Sequence, residues 1–379
     1  MDNLTHSLVG LTAAKAGLEK LSPGATTLCV LAANAPDSDI VVLAFGDRWT
    51  FLHHHRGITH AIVGVICLAI VLPLIFYGVD RLWSRYKDQP PKTNLKGLLI
   101  ASFIASATHP LLDWTNNYGI RWFLPWSQKW SYGDFVFIVD PYLWLILGGA
   151  AFLLTARTRF LKVIWAIVAA VLTLLVVGSP RSGGLPYPRL IAVAWIAMLV
   201  AFIVLMVKGA GERWGKRIAF VAIAIALCYW SLLAFAHSRA VMRGNEEAAK
   251  MATANGETIG RLAAMPRLAN PFHWDCAFET DRAMYRFDFS LLRTDAWNPV
   301  RYDKPGPELR EVVDYVSEQR SAQIFLNFAR FPVMKLADPA CTTSTFVQLA
   351  DLRYTEPGRS RGTFALDLPI DCAVVRLAR

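Results

Sequence analysis

The chain has 379 residues, 54% of them hydrophobic, with 13 tryptophans and a formal net charge of +10. That apolar share exceeds the roughly 45–50% usual for a soluble domain and argues against an ordinary soluble enzyme. The charge does not point to nucleic acid: residues 238–379 hold 19 basic against 18 acidic side chains, and the surplus, 20 against 11, sits in residues 1–237 between apolar runs, as in a membrane protein oriented by its positive loops.

The opening "MDNLTHSLVG" lacks a basic n-region and carries an acidic residue at once, so it does not read as a cleavable signal peptide. Residues 4–20 read as a moderately apolar helix interrupted by His6, Thr12, Lys15 and Glu19, and Ser22-Pro23-Gly24 ends it. Residues 25–35, "ATTLCVLAANA", form a second short helix. A bilayer core about 30 Å thick needs roughly 20 helical residues, so this segment is expected to be interfacial, re-entrant or packed in protein. Pro36 stops it, because proline disfavours helix in the residue before it.

About six spanning helices follow, at about 59–79, 96–115, 138–156, 160–178, 188–207 and 217–236. If they alternate, the basic loops 80–96, 157–162 and 208–217 share one side, which the positive-inside rule makes cytoplasmic. Residues 1–58, the 116–137 loop and the C-terminal part then face outward. Residues 238–379 have dense mixed charge. "YRFDFSLLR", "SAQIFLNFARFPVMKL" and "TFVQLADLRY" alternate like strands, and "ELREVVDYVSEQR" (308–320) has apolar residues at helical spacing. The expected architecture is an α-helical polytopic membrane protein in three parts: N-terminal helices 1–58, a transmembrane domain 59–237, and an extracytoplasmic α+β domain 238–379. Cys276, Cys341 and Cys372 lie in the last part without a CxxC pattern, so one disulfide is open there and a zinc ribbon is not expected.

Four of the eight histidines fall between positions 53 and 60, in "FLHHHRGITHA". They join other polar residues that stand at the outward ends of apolar segments: His6, the Asp37/Asp39 pair, His60, and His109 with Asp113. His109 and Asp113 are four apart, so on a helix they share a face and can converge on one ion. Pro110 does not forbid that helix, since membrane helices tolerate proline. Two close carboxylates such as Asp37 and Asp39 repel unless a cation or proton lies between them. Imidazole with carboxylate suits zinc, manganese or iron better than calcium or magnesium. The expected metal ligands are therefore His6, Asp37, Asp39, His60, His109 and Asp113. Arg56 and Arg121 are candidates for holding a phosphate or carboxylate oxygen, and His55 for an extra ligand or general acid. Asn3, Asn117 and Asp140 are candidates for orienting the imidazoles, and Gly57 for a tight turn before the span. His53 and His54 read as a solvated rim. His273, beside Trp274, reads as packing in a strand.

The motifs "NLTHSLVG", "APDSD", "HRGITHA" and "HPLLDWTNNYG" resemble the signature of the YdjM-type membrane-bound metal-dependent hydrolases, over roughly residues 1–160. A more distant similarity links the order His, Asp, His, HxxxD to the zinc-dependent phospholipase C and S1/P1 nuclease ligand pattern. That resemblance implies that His6, Asp37 or Asp39, His60, His109 and Asp113 match ligands, with Asp113 bridging two metals. Here the chain starts Met1-Asp2 where those enzymes have an N-terminal tryptophan, and the later HxxxE pair is absent, so one or two ions, most simply zinc, are expected rather than three.

The reading that follows is a bacterial inner-membrane metal-dependent hydrolase, embedded in the lipid bilayer, acting on a phosphoester or lipid-like substrate at the outer, periplasmic face. The alternative is a non-enzymatic metal-binding or envelope-stress protein whose C-terminal domain binds a partner. A transporter is disfavoured, because residues 160–236 hold almost no intramembrane ionisable group to mark a pathway. The sequence is silent on the oligomeric state.

Overall fold

A computed structural model describes residues 1–178, 188–293, 299–340, 343–359 and 364–373. The chain divides into two compact units. Unit 1 comprises residues 1–38, 58–233 and 268–270; unit 2 comprises 39–57, 234–267 and 271–379.

Unit 1 is helical. Its helices are α1 (Asn3–Ala16), α2 (Ala25–Asn34), α4 (Ile62–Tyr86), α5 (Leu95–Trp114), α6 (Pro141–Thr155), α7 (Arg159–Gly178), α8 (Pro188–Val207), α9 (Ala210–Trp214) and the first part of α10 (Lys216–Ala254). Side-chain caps set several of their starts. The Asp2 carboxylate accepts from the Thr5 N–H, Asn94 from Gly97, and Asp140 from Tyr142 and Leu143, with Pro141 in the first turn.

Among the described residues, five helical stretches are long and apolar enough to cross a membrane: Ala25–Ala44, Ile62–Tyr86, Leu95–Trp114, Arg159–Gly178 and Lys216–Ala254. The protein is thus an integral membrane protein by its helices. The set differs from the six expected. The 138–156 and 188–207 segments contribute shorter apolar helices, Pro141–Thr155 and Ile191–Val207. The short segment expected over 25–35 continues past Pro36 as a 3-10 helix, Ala35–Ala44. Proline's missing N–H breaks the α-helical ladder there, but the tighter turn lets the helical path go on.

Helices α1, α2 and α5 pack around Ala14, Leu28, Ala32, Leu98, Ala101 and Ala105. The small side chains bring these helices close. At Gly10 an added Cβ would lie 2.5 Å from the Cys29 carbonyl oxygen, so α1 meets the backbone of α2 directly. Gly10→Val is therefore expected to push α1 off α2 at a cost of at least about 1–3 kcal/mol. A thermal melt in detergent checks this, and a melt unchanged from wild type would show that the crossing is not tight.

In unit 2, the residue 39–57 segment carries α3 (Arg48–His54), capped by Asp47 accepting from the Thr50 N–H. Four strands, β1 (Ile259–Arg267), β2 (Asn270–Thr280), β3 (Ala283–Ser290) and β4 (Val300–Asp303), form one sheet in that order, with β2–β3 and β3–β4 antiparallel. Strands β5 (Pro332–Leu336), β6 (Ser344–Asp351) and β7 (Ala365–Asp371) form a second. Register in the first sheet pairs Cys276 with Phe287, and in the second pairs Val347 with Leu368. Helices α11 (Arg310–Glu318) and α12 (Arg320–Phe328) pack on the second sheet through Val312, Val316, Ala322 and Phe325.

Two local expectations are corrected. The 308–320 helix breaks at Gln319, whose extended backbone separates α11 from α12. "SAQIFLNF", expected as strand, is helix α12. Its buried residues Ala322, Phe325 and Phe328 fall at a spacing of three, which a period of 3.6 gathers on one face and a period of two does not. "FHWDCAFET" lies in β2, between β1 and β3, with Trp274 fully buried, as the packing of His273 in a strand requires. Cys372 is disulfide-bonded, Cys276 is a buried free thiol, and Cys341 lies outside the described residues.

Candidate metal centre

Four segments of unit 1 converge on one buried point. α1 brings His6, the turn after α2 brings Asp37, the residues just before α4 bring His60, and the last turns of α5 bring His109 and Asp113. His6, His60 and His109 are fully buried and Asp113 is 1% exposed. Two backbone features make the approach possible. Gly10 lets α1 lie against α2, as above. At Gly64 a Cβ would stand 1.8 Å from the Ile58 carbonyl oxygen, so only glycine lets the 58–60 turn fold back on the first turn of α4 and seat His60.

The separations carry the chemistry. His60 Nε2 and His109 Nε2 are 3.1 Å apart. Asp37 Oδ1 is 3.3 Å from His60 Nε2 and 3.6 Å from His109 Nε2. Asp113 Oδ2 is 3.3 Å and 3.5 Å from the same two atoms. A tetrahedral zinc with ligands at about 2.0–2.1 Å has ligand–ligand edges of about 3.3–3.4 Å. The five measured edges match that figure closely, so Asp37, His60, His109 and Asp113 could hold one divalent ion.

The surroundings prepare the imidazoles. His109 Nδ1–H donates to the Ala33 carbonyl at 2.6 Å, which leaves the Nε2 lone pair turned inward. His60 Nδ1 faces Thr59 Oγ1 at 3.1 Å. A backbone carbonyl partner such as Ala33 fixes the tautomer of a metal-binding histidine.

Asp113 looks two ways. Its Oδ2 faces His60 and His109, while Oδ1 lies 3.4 Å from His6 Nε2 and is paired with the Met1 amino group. The His6 ring stacks on His109 at 3.8 Å between centroids, and neither His6 nitrogen has a hydrogen-bond partner. Burial, with His109 and the amino terminus beside it, pushes the His6 imidazole down to about 3, so it is neutral, the form in which imidazole binds metal. The His6 ring is thus a buried candidate ligand beside the Asp113 oxygen that the Met1 amino group holds.

The remaining sequence candidates take other places. Asp39 belongs to the 39–57 segment of unit 2. It is 3.1 Å from His55 Nδ1 and accepts from the Arg56 backbone N–H at 3.0 Å. That bond holds Arg56 in the left-handed region at φ 52, so Arg56, and not Gly57, is the unusual residue of the turn. Non-glycine residues reach this region at a cost of roughly 1–2 kcal/mol. The Arg56 side chain is buried. Arg121, in the 116–137 loop of unit 1, is buried over the Trp130 ring at 4.6 Å and donates to Gln128 Oε1 at 3.2 Å; burial lowers its pKa below the ordinary guanidinium value. Asp140 caps α6 and accepts from the Tyr229 hydroxyl at 2.8 Å. His53 and His54 are exposed.

Sequence reasoning missed Met1, Asp2 and Trp144. The Trp144 indole N–H donates to Asp2 Oδ1 and Thr5 Oγ1, both at 3.2 Å, and so fixes the start of α1 beside the cluster. Asp2 three residues before Thr5 was the available signal, since it is an N-cap pattern.

These features define a polytopic α-helical membrane protein with a buried His/Asp cluster of metal-ligand geometry. Residues 1–183 match the family model described as YdjM inner membrane protein. The chain is also 28% identical over 155 residues to the protein YfhP of Bacillus subtilis (strain 168), covering 38% of this chain and 43% of the relative. It is 28% identical over 129 residues to the inner membrane protein YbcI of Escherichia coli (strain K12), covering 33% of this chain and 68% of the relative. The chain therefore spans less than half the length of YfhP. No solved structure matches.

Proposed function

We propose that the protein is a membrane-bound metal-dependent hydrolase acting on a phosphoester or lipid-like substrate at the outer face of the inner membrane. The observation that carries this reading is the set of five ligand–ligand separations between 3.1 and 3.6 Å among Asp37, His60, His109 and Asp113. Zinc is the metal this donor set favours. One or two ions are proposed: the first among these four residues, the second on the Asp113 face toward His6.

When bound, such an ion lowers the pKa of a coordinated water to about 7 and polarises a phosphoryl or carbonyl oxygen. The chain's own groups do the rest. Asp37 is the one member of the cluster with appreciable exposure, 15% at its side chain, so substrate and water enter on its side. His6, kept neutral by its burial, offers a ring nitrogen as a ligand. Arg121 is assigned to anionic substrate oxygens. The outward orientation rests on the positive loops and is supported by the disulfide at Cys372, a bond that persists in oxidising compartments. A phosphatase reporter fused at the C-terminal end is expected to be active outside the cytoplasm; activity of a cytoplasmic reporter at that position would reverse the topology.

A second reading has its own support. Four protein ligands close a tetrahedron, and closed sites are the structural kind, whereas catalytic zinc keeps an open position. On this reading the protein is a metal-binding or envelope-stress factor whose unit 2 engages a partner. Purified protein assayed on a panel of phosphoesters and lipids separates the two. Metal-dependent turnover supports the hydrolase, and bound metal without turnover on any class supports the structural ion.

A further inference from the structure

Helices α6, α7 and α8 line a half-open cavity of about 340 Å³ that takes no part in the metal cluster. Its walls include Trp144, Phe152, Trp165, Trp195 and Phe202. The three indole N–H groups point elsewhere: Trp165 donates to Thr155 Oγ1, Trp195 to Thr173 Oγ1, and Trp144 to Asp2 and Thr5. The cavity therefore presents ring faces and aliphatic carbon. Such a space excludes water and accepts an apolar occupant. Lys162 is the charged residue of the lining, among the described residues, and it is exposed.

The chain direction fixes where Lys162 sits. α6 and α7 are joined by a three-residue turn at 156–158, so Phe152 and Lys162 lie at one end of the cavity. Trp144, Leu172 and Trp195 lie at the other, the end at which Trp144 touches the start of α1 beside the metal cluster. The Lys162 end is strongly basic. Arg157 and Arg159 flank it in sequence. α9 is fixed there too, since the space of a Cβ on Gly211 lies 2.1 Å from the Leu153 carbonyl oxygen, and its surroundings bring Lys208, Arg213, Lys216 and Arg217 against the single acid Glu212.

We propose that this cavity binds one acyl chain of an anionic phospholipid from the leaflet opposite the metal cluster, with the lipid phosphate held at Lys162. The argument is charge complementarity at the mouth and a dry wall within, in a helical unit that lies among acyl chains. A neutral lipid would satisfy the wall but leave the basic mouth unpaired. A substrate entering from the cluster end would put its tail at Lys162, where hydrocarbon gains nothing. The proposal stands apart from the hydrolase reading, because it uses no metal ligand.

The test uses full-length protein in phosphatidylcholine nanodiscs doped with a phosphatidylglycerol that carries a photoreactive diazirine in its acyl chain, and in a parallel set with the matching phosphatidylcholine probe. Labelled peptides are mapped by mass spectrometry. Phosphatidylglycerol is expected to label α6, α7 and α8 around Trp165 and Trp195 in preference to phosphatidylcholine. A basic side chain near a headgroup contributes enough that Lys162→Ala should cut that preference about fivefold, while Lys162→Arg keeps it. Ala169→Phe, which fills the cavity, should lower labelling by both probes with the melting temperature retained. Equal labelling by the two probes in the wild type, no label within α6–α8, or protein–protein crosslinks across these helices in place of lipid would each overturn the assignment.

Discussion

The His109→Ala, Asp113→Ala double variant is expected to lose its metal. The two residues supply two of the four atoms that face one another across 3.1–3.6 Å, and Asp113 also supplies the oxygen that faces His6. What remains, Asp37 and His60, is one edge of a tetrahedron and encloses nothing. Losing a hydrogen-bonding partner of a ligand typically costs 10–100-fold in affinity, so losing two ligands should cost more than about a hundredfold. Elemental analysis of purified protein reads this directly, with wild type at one or two equivalents and the double variant near zero. His53→Ala with His54→Ala is the control: both side chains are exposed and their loss should leave loading intact. Full loading in the double variant would remove the proposed centre altogether.

Stripping the metal should destabilise unit 1 strongly. Without a cation, a carboxylate that is 1% exposed lies among three fully buried imidazoles, with the Asp37 carboxylate at the rim. Two buried acids repel, and inward-facing imidazole lone pairs lose their partner. A ligand at a thousand times its Kd adds about 4 kcal/mol to the folded state. Each kcal/mol moves the melting temperature of a unit this size by about 2–4 °C. Chelation is thus expected to lower it by about 10 °C, and added zinc to restore it. Asp37→Asn should shrink the zinc-dependent shift, since it replaces an anionic ligand by a neutral amide. Tryptophan-fluorescence melts in detergent, with and without chelator, make the comparison. Coincident curves would mean that the cluster holds no ion in the purified protein.

Much of the centre was readable because its chemistry is anomalous for its setting. Histidine and aspartate at the ends of apolar helices are costly there unless something pairs them, so each of "NLTH", "APDSD", "GITH" and "HPLLD" stood out on composition alone. Helical spacing put His109 and Asp113 on one face, and α5 keeps that face through Pro110. The pairing of Asp113 with the Met1 amino group was not readable, since nothing in local pattern says which residue 112 positions away will meet a carboxylate. The partition of the two acids in "PDSD" was equally hidden. Asp37 is the acid within 3.3–3.6 Å of His60 and His109, while Asp39 meets His55 Nδ1 and the Arg56 backbone N–H.

In unit 2 the failure had a different cause. "SAQIFLNF" alternates well enough to pass for a strand, and the choice between periods of two and 3.6 over eight residues was made by the second sheet, against which only a helix buries Ala322 and Phe325 together. Sequence by itself determined the membrane character, the positions of the apolar helices and the kinds of residue at the metal centre, because hydrophobic length and misplaced charge are local properties. Tertiary structure decided which candidate ligands come within reach of one ion, which nitrogen of His109 faces them, and which helices line the aromatic cavity. Those are facts of distance, and distance between remote segments is set by backbone approach at positions such as Gly10 and Gly64 rather than by any pattern along the chain.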